Sequence, residues 1–356
     1  MAGVKPRTRE SAARARMVGL GLWRPAATDP KGVVERLVAM QAQEHAYARW
    51  SVGQRCGASA SVVDAAFDAG GILRTHVLRP TWHYTSPADL RWLLALTGPR
   101  LEAANARRDA ELDLDARTLR RATDVIADAV ATGPATRREL ADELQRRRIS
   151  PADQRMPHIL FHAELRMLVC SGPMRGKEHT YVPFDDRVPA GPTFTEDGAL
   201  AELARRWFAT RGPASLRDFR WWSGLPAGPA SAALAAVAPE LSSYEQDDRT
   251  YWFADAARAP KGPQVDLVQC YDEAIISYSE TRDVLATEQV TFKVPGSSDG
   301  FTHVLLCDGV LLGHWRVRRL SRGEVELETR LARAIDDREQ AALDAAVARY
   351  EQFVRT

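Results

Sequence analysis

Apolar residues recur at two different spacings along the chain, and the change of spacing separates a helical part from a strand-rich part. Up to about residue 260 they return every three or four positions, as Val33, Val34 and Leu37 do. That spacing places them on one face of an α-helix. After residue 260, short apolar runs alternate with turn residues such as Asp308-Gly309, which predicts antiparallel strands. The predicted strands are Val265–Cys270, Ala274–Tyr278, Val290–Val294, Phe301–Cys307, Val310–Arg318 and Val325–Leu331, and a helix over Arg333–Val354 follows them.

Two segments of the helical part carry the same motif. Residues 133–140 and 212–219 both read Gly-Pro-Ala, then Ser or Thr, any residue, Arg, an acid and an apolar residue. Ser or Thr followed by an acid three positions later is the capping box that begins a helix, and the Gly-Pro before it ends the preceding helix. Each motif is followed by a further helical stretch and two short strand-like runs. Three helices closed by a β-hairpin form a winged helix.

The segment before these two repeats follows the same order without the motif. Helices are predicted over residues 9–19, from Asp29-Pro30 onwards and over residues 61–69, and a hairpin over residues 72–85 turns at Arg79-Pro80. The predicted fold class is mainly α with β-hairpins (α+β), built as three tandem winged helices and a small antiparallel β unit capped by a helix. The corresponding domains are residues 1–100, 101–190, 191–259 and 260–356.

The net charge of +1 hides an asymmetry along the chain. Residues 1–100 contain 14 Lys and Arg against 7 Asp and Glu, whereas residues 101–356 contain 34 against 40. Of the 48 basic residues 43 are Arg, the side chain suited to bidentate phosphate contact, although a GC-rich genome also raises the content of Arg together with Ala. The basic front of the chain therefore permits a nucleic-acid partner, against which the total charge alone would argue.

Several classes of protein are disfavoured by what the sequence lacks. No apolar run approaches the ~18 residues that a membrane-spanning helix needs. The cysteines are far apart and form no C-x-x-C pair, which argues against a disulfide framework and a structural zinc site. Neither a G-x-G-x-x-G loop, a P-loop nor a nucleophile elbow is present. We therefore expect a cytoplasmic, nucleoid-associated protein without membrane contact, metal or cofactor.

Two glutamines separated by one residue, Gln41 and Gln43, are the first candidates for chemistry. The helix after Pro30 is predicted to end near them, and an extended chain places positions i and i+2 on one side. Two adjacent amides can hold one water or one base edge, but neither amide titrates, so the pair suits a reaction whose leaving group is already activated. The alternative is two surface glutamines near a helix end. Glu44 and His45 are adjacent titratable candidates.

The Gln41-Ala42-Gln43 motif stands in order with other short motifs. These are residues 79–84 with residues 87–89 after them, residues 212–225, and Tyr271-Asp272-Glu273 with Tyr278. Together they resemble the bacterial tandem winged-helix DNA glycosylases of the AlkZ/YcaQ type, over most of the chain. In that family the AlkZ-like branch has Q-apolar-Q and the YcaQ-like branch Q-apolar-D, so this sequence resembles the former. Glu44 and Tyr271 stand where the family often has Asp and Phe.

The resemblance implies a monofunctional glycosylase that excises N7-alkylated purines and unhooks interstrand crosslinks, with catalytic Gln41 and Gln43 and alkylated double-stranded DNA as partner. An N7-alkylguanine base is a cation, so positioning a water and stabilising the developing sugar charge suffices to break its glycosidic bond. Self-resistance to a DNA-alkylating natural product is one setting for such chemistry. The alternative from another class is a winged-helix regulator without catalysis. Three unequal winged helices suit a monomer better than a two-fold dimer.

Phosphate contacts are expected from basic side chains near the motif and on the hairpins. The candidates are Arg49, Arg74, Arg79, Arg175, Lys177, Arg316, Arg318 and Arg319, with His83 beside them. For the last three Arg residues a solvated, Arg-rich edge strand is an equal alternative. For His83 the alternative is a half-buried strand histidine.

Three further groups of residues are considered for a site, and for the first two a structural role is predicted. His158 and His162 have a spacing that can hold zinc, but helix packing is the predicted role. Trp221-Trp222 is predicted to lie in the core. Asp272-Glu273 is a possible acid pair, although its distance in sequence from Gln41 leaves a shared site open.

Overall fold

The computed structural model describes residues 8–254, 258–287, 300–319 and 325–355. The α-helices are α1 Arg9–Gly19, α2 Pro30–Leu37, α3 His45–Cys56, α4 Ala60–Asp68, α5 Pro87–Glu111, α6 Ala116–Val130, α7 Arg137–Arg146, α8 Arg155–Leu165, α9 Phe184–Arg187, α10 Glu196–Arg211, α11 Leu216–Ser223, α12 Ala227–Val237, α13 Glu273–Ile276 and α14 Asp337–Arg355. The strands are β1 Ala39–Gln41, β2 Leu73–Val77, β3 Arg79–Thr85, β4 Ala135–Thr136, β5 Val169–Ser171, β6 Thr180–Pro183, β7 Ser242–Gln246, β8 Arg249–Phe253, β9 Val265–Val268, β10 His303–Cys307, β11 Val310–Arg319 and β12 Val325–Leu331. This mixture confirms the predicted α+β class.

The chain folds into two compact units. The larger unit combines Met1–Val63 with Leu200–Thr356, and the smaller unit is Asp64–Ala199. These units group the residues differently from the four predicted domains, which stay a prediction.

The smaller unit contains the first Gly-Pro-Ala motif. Thr136 accepts a hydrogen bond from the Glu139 N–H, and the Glu139 carboxylate accepts one from the Thr136 N–H, so the predicted capping box begins α7. Apolar residues of α6, α7 and α8, among them Ile126, Leu140 and Ile159, form one buried core. Strand β6 lies between β4 and β5 in an antiparallel sheet beside these helices. This order is compatible with a winged helix.

The second motif occupies the larger unit in the same way. Ser215 and Asp218 form the capping box of α11, and α10, α11 and α12 are followed by the β7–β8 hairpin. The rings of Trp207, Phe208 and Phe219 pack in the core of these helices, all three fully buried. This segment is also compatible with a winged helix.

The C-terminal part of the larger unit is an antiparallel sheet in the order β12-β11-β10-β9, and α14 packs on β9. The predicted strands agree with β9 to β12, but the prediction over residues 274–278 is wrong. The Asp272 side chain accepts the N–H of Ala274 and begins the short helix α13 there. The strand predicted at 290–294 lies outside the described residues. Helix α14 begins later than predicted because Asp336 caps it, accepting from the Glu339 N–H.

The first hundred residues agree with the prediction only in part. Helices α1, α2 and α4 and the β2–β3 hairpin were predicted, whereas α3 and the long helix α5 were not. The hairpin turns at Leu78, whose φ is +64°, and not at Arg79-Pro80, which already belong to β3. No helix in the described part of the chain has the length and apolar character needed to cross a membrane.

Candidate active site

Helix α2 ends just before the two-glutamine motif. Asp29 caps its first turn and Pro30 occupies the first helical position, so the start follows local sequence signals. The helix stops at Leu37 because Val38 has φ +66° and ψ −55°, outside the helical region. The chain then runs extended through β1 as far as Gln41. The expectation that the helix ends before the motif is therefore confirmed.

The two glutamines differ in exposure. Gln41 is buried, with 8% of its surface exposed, and Ala42 is fully buried. Gln43 is exposed and lies in the bend that leads into α3. The motif thus has one exposed side chain, Gln43, and one buried side chain, Gln41, separated by one residue in sequence.

A buried carboxylate lies against the backbone of Gln41. Glu273 Oε1 accepts the Gln41 N–H at 2.9 Å. Its other oxygen, Oε2, accepts from Trp222 Nε1 at 2.7 Å and from Ser277 Oγ at 2.8 Å. The Glu273 side chain has no exposed surface, so the segment at Gln41 rests on a fully buried, fully hydrogen-bonded acid.

Arg211 completes this cluster. Its guanidinium lies 2.8 Å from Glu273 Oε2, is equally buried, and stacks 4.5 Å from the Trp222 ring. The same Nη2 atom donates to Leu37 O at 3.1 Å and to Ala39 O at 2.9 Å. Arg211 and Glu273 together therefore contact the backbone on both sides of Val38 and at Gln41.

The two acids at the start of α13, Asp272 and Glu273, are both held by buried partners. Burial by itself raises the pKa of Glu273, but the Arg211 charge and the hydrogen bonds from Arg211, Gln41 and Ser277 outweigh it and hold that pKa below its usual value. Neighbouring Asp272 forms a bidentate pair with Arg55 at 2.6 and 2.8 Å, also buried. Both acids are thus buried and hydrogen-bonded to buried partners, and neither side chain is accessible to a substrate.

The titratable residues next to the motif lie closer to solvent. Glu44 is the exposed N-cap residue of α3, and partial desolvation raises the pKa of its carboxyl. His45 is half-buried at the first position of that helix. Glu44 is therefore the ionisable side chain adjacent to Gln43 whose pKa is shifted towards neutrality.

The predicted phosphate contacts in the larger unit lie in two places. Arg49 is half-buried on α3. Arg316 and Arg318 lie on β11, where both pair with Glu328 of β12, at 2.7 Å from Arg316 Nε and 2.9 Å from Arg318 Nη1. Because β11 lies between β10 and β12, the alternative of an edge strand is wrong. Arg319 ends β11, and its side chain lies outside what the structure describes.

The predicted contacts in the smaller unit differ in exposure. Arg74 stacks 4.2 Å from the Trp82 ring, and burial lowers its pKa. Arg175 is half exposed and donates to Glu139 at 2.7 Å, while Lys177 is exposed. Arg79 is half-buried. His83 has no exposed surface, and its Nδ1 lies 2.8 Å from Thr81 O, which favours the packed strand histidine over a phosphate contact.

His158 and His162 pack between helices, as predicted. His162 lies between two acids, with Nε2 2.7 Å from Asp109 and Nδ1 3.2 Å from Glu102. His158 Nδ1 is 3.1 Å from the same Asp109. Among the described residues no group of three or more His, Cys, Asp and Glu is arranged to hold a metal ion.

The prediction that Trp221 lies in the core is wrong. Trp222 lies in the core as expected, but Trp221 is 50% exposed. Its Nε1 donates to Ile276 O at 3.0 Å, which holds the indole against α13, the helix that carries Glu273. An exposed aromatic side chain that is anchored to this helix is a candidate contact for a nucleobase.

Comparisons with known proteins identify the family of the chain and a similar fold. The sequence model of the family described as DNA glycosylase AlkZ-like matches residues 34–353. Among solved structures, the chain is similar to the DNA glycosylase AlkZ of Streptomyces sahachiroi, with a TM-score of 0.74 and 19% sequence identity, covering 97% of this chain and 96% of that one. At this identity the likeness concerns the fold. No curated protein matches the sequence significantly.

Proposed function

The chain belongs to the AlkZ-like DNA glycosylase family, and we propose that it hydrolyses the N-glycosidic bond of N7-alkylated purines in double-stranded DNA, as a monomer. The observation that carries this proposal is the exposed Gln43 beside the inset Gln41 at the end of α2. Family membership gives no support to the alternative of a regulator without catalysis.

The chemistry of the substrate matches what two amides can do. Alkylation at N7 makes the purine a cation, so the base leaves as a neutral molecule and needs no proton from the protein. The sugar then passes through an oxocarbenium-like state, which an oriented water can capture as it releases one proton to the surrounding solvent. An amide oxygen accepts a hydrogen bond from that water and stabilises positive charge without ionising itself. In the proposed mechanism Gln43 contacts the water and Gln41 orients it from the side of the protein.

The proposed substrates include bulky adducts and interstrand crosslinks. A base tied to the opposite strand cannot rotate fully into an enclosed pocket. Gln43 lies at the surface, so it can reach a glycosidic bond in a base that remains near the helix. Resistance of the producing cell to a DNA-alkylating natural product is the biological setting that this substrate class suggests.

The test is a single-turnover excision assay on a duplex with one 7-methylguanine, in which alkali cleaves the abasic product. We expect Gln43→Ala to lower the rate about 100-fold, because it removes one oriented polar group from the transition state. Affinity for undamaged duplex, measured by fluorescence anisotropy, should change less than about twofold.

The matched control is Gln340→Ala. Gln340 is an exposed glutamine on α14 whose side chain donates to Asp344, far from the motif in sequence. Its loss should leave the excision rate unaltered. An undiminished rate in Gln43→Ala would remove this residue from the mechanism. The same assay on a duplex with an interstrand crosslink, with release of the crosslinked guanine by the unaltered protein as its readout, tests whether crosslinks are substrates.

A further inference from the structure

We infer that Arg211 and Glu273 act together as a positioning device for Gln41, which we call the 211–273 clamp. The inference rests on the proposed function, in which Gln41 takes part in cleavage of the glycosidic bond. Both clamp residues are fully buried, so neither touches DNA. Their effect on the reaction passes through the backbone of residues 37–41.

The clamp contacts Leu37, the last residue of α2, and two alternate residues of the extended strand β1, Ala39 and Gln41. Arg211 Nη2 donates to the carbonyl oxygens of Leu37 and Ala39, and Glu273 Oε1 accepts the N–H of Gln41. In an extended chain, polar backbone groups of alternate residues point to the same side. The guanidinium and the carboxylate therefore offer a donor and an acceptor in the places where a neighbouring strand would offer its own N–H and C=O groups.

The segment needs such support because it contains a strained residue. Val38 is β-branched and has φ +66°, a backbone conformation that such residues rarely adopt. Arg211 Nη2 binds the carbonyls on either side of it, and the Val38 side chain is fully buried. Strained backbone persists only where surrounding contacts determine it, and here the contacts come from the clamp. Release of Val38 would change the direction in which the chain enters Gln41 and Gln43.

The clamp is itself held in place by neutral partners. Trp222 Nε1 and Ser277 Oγ donate to Glu273 Oε2, and the Tyr278 hydroxyl donates to the Arg211 backbone oxygen at 2.9 Å. Glu273 cannot rotate without breaking these bonds. Its Oε1 atom is therefore kept under the Gln41 N–H.

The test compares two clamp variants with two matched controls. Glu273→Gln places an amide where only acceptors fit, and Arg211→Lys removes the fork that reaches both carbonyls. The controls are Asp218→Asn and Arg16→Lys. Asp218 and Arg16 are fully buried like the clamp residues, and their hydrogen bonds go to Ser215, to Pro213 and to residues 279–281. They have no described hydrogen bond to the segment at 37–41.

We expect both clamp variants to lower the single-turnover excision rate at saturating enzyme by at least about tenfold, because displacement of a catalytic group by ~1 Å has effects of this size. Affinity for undamaged duplex should change less than about twofold. The controls should stay within about twofold in both quantities at temperatures below their unfolding transitions. Equal rate losses in clamp variants and controls would show a general loss of stability and overturn the inference.

A double variant separates positioning from structure. If Glu273 acts through Gln41, then Glu273→Gln adds less than about twofold to the loss already caused by Gln41→Ala. Independent, multiplying losses would overturn the inference while leaving the role of Gln41 in place.

Hydrogen exchange tests, independently of activity, whether the clamp holds residues 37–41 in place. Amide exchange in peptides that span residues 37–43, measured by mass spectrometry, should accelerate at least about tenfold in both clamp variants and in neither control. If the unaltered protein releases no 7-methylguanine, the proposed function fails, and exchange alone decides whether the clamp holds this segment. Unaltered exchange in the clamp variants would refute it in either case.

Discussion

Asp266 carries a prediction about stability that can be worked out from its surroundings. It lies on β9 with 5% of its surface exposed, and its Oδ2 accepts from Trp23 Nε1 at 2.7 Å. Burial raises the pKa of this carboxyl to about 6, and the Trp23 hydrogen bond offsets only part of that effect. Asp266→Asn keeps an oxygen for Trp23 but removes the charge.

Proton linkage gives the direction and the size of the effect of Asp266 on the free energy of unfolding. In the unfolded chain the carboxyl has its ordinary pKa, about 3.9. The folded protein therefore binds the extra proton between about pH 4 and pH 6, and its stability falls as the pH rises through that window. A shift of about two pKa units corresponds to about 3 kcal/mol, which is fully lost above pH ~6. Asp266→Asn should thus be more stable than the unaltered protein by up to about 3 kcal/mol at pH 7.5 and nearly equal to it at pH 4.

The assay is urea unfolding of both proteins between pH 4 and pH 8, evaluated as their difference in free energy of unfolding. The difference is needed because His303 works in the opposite direction. Burial lowers the pKa of His303 to about 4, so its contribution weakens as the pH falls from ~6.5 towards 4. A difference that does not vary with pH, or a less stable Asp266→Asn at pH 7.5, would refute the reasoning.

Two further pairs of substitutions test packing and DNA contact. Gly53→Ala on α3 should lower the free energy of unfolding by about 1–3 kcal/mol, and with it the unfolding temperature. The reason is that its Cβ would lie 2.6 Å from Phe353 Cε2 and 2.9 Å from Ala58 O. For Gly228→Ala on α12 the new Cβ would meet no atom within 4 Å beyond its chain neighbours and its own helix, so this variant should lose less stability than Gly53→Ala; equal losses in both would contradict this. Trp221→Ala should weaken binding of alkylated duplex about tenfold in an anisotropy titration, through loss of a stacking surface, whereas the exposed Val62→Ala should not. Equal affinities for these two variants would exclude Trp221 as a contact.

The fold was predictable where neighbouring residues in the sequence determine the start of a helix. The capping boxes at Thr136 and Ser215 and the Asp29-Pro30 pair act within one turn of helix, so α7, α11 and α2 could be placed from sequence. Helix α3 was missed because its N-cap residue, Glu44, makes no side-chain capping bond. Helix α5 was missed because Pro99 lies inside it, where a proline ordinarily ends a helix.

The site was predictable only in its local part. The end of α2 and the identity of the two glutamines are properties of a few neighbouring residues. The contact between Gln41 and Glu273 joins positions 232 residues apart, and no periodicity or motif encodes such a pairing. The same limit explains Trp221 and His83, since exposure and burial on a surface or a hairpin depend on which neighbouring elements cover them.

The location of the Arg211–Glu273 pair has a physical meaning of its own. A buried ion pair contributes little to stability, since apolar side chains of similar volume often serve the fold as well or better. What such side chains cannot do is bind two carbonyls and one N–H of an extended segment around a residue with positive φ. The glutamines do not titrate, and the pKa of Glu273 is held low, so in the proposed chemistry these groups act through their positions and do not themselves donate or accept a proton. A pair that fixes backbone geometry, at some cost in desolvation, is what a site of that kind requires.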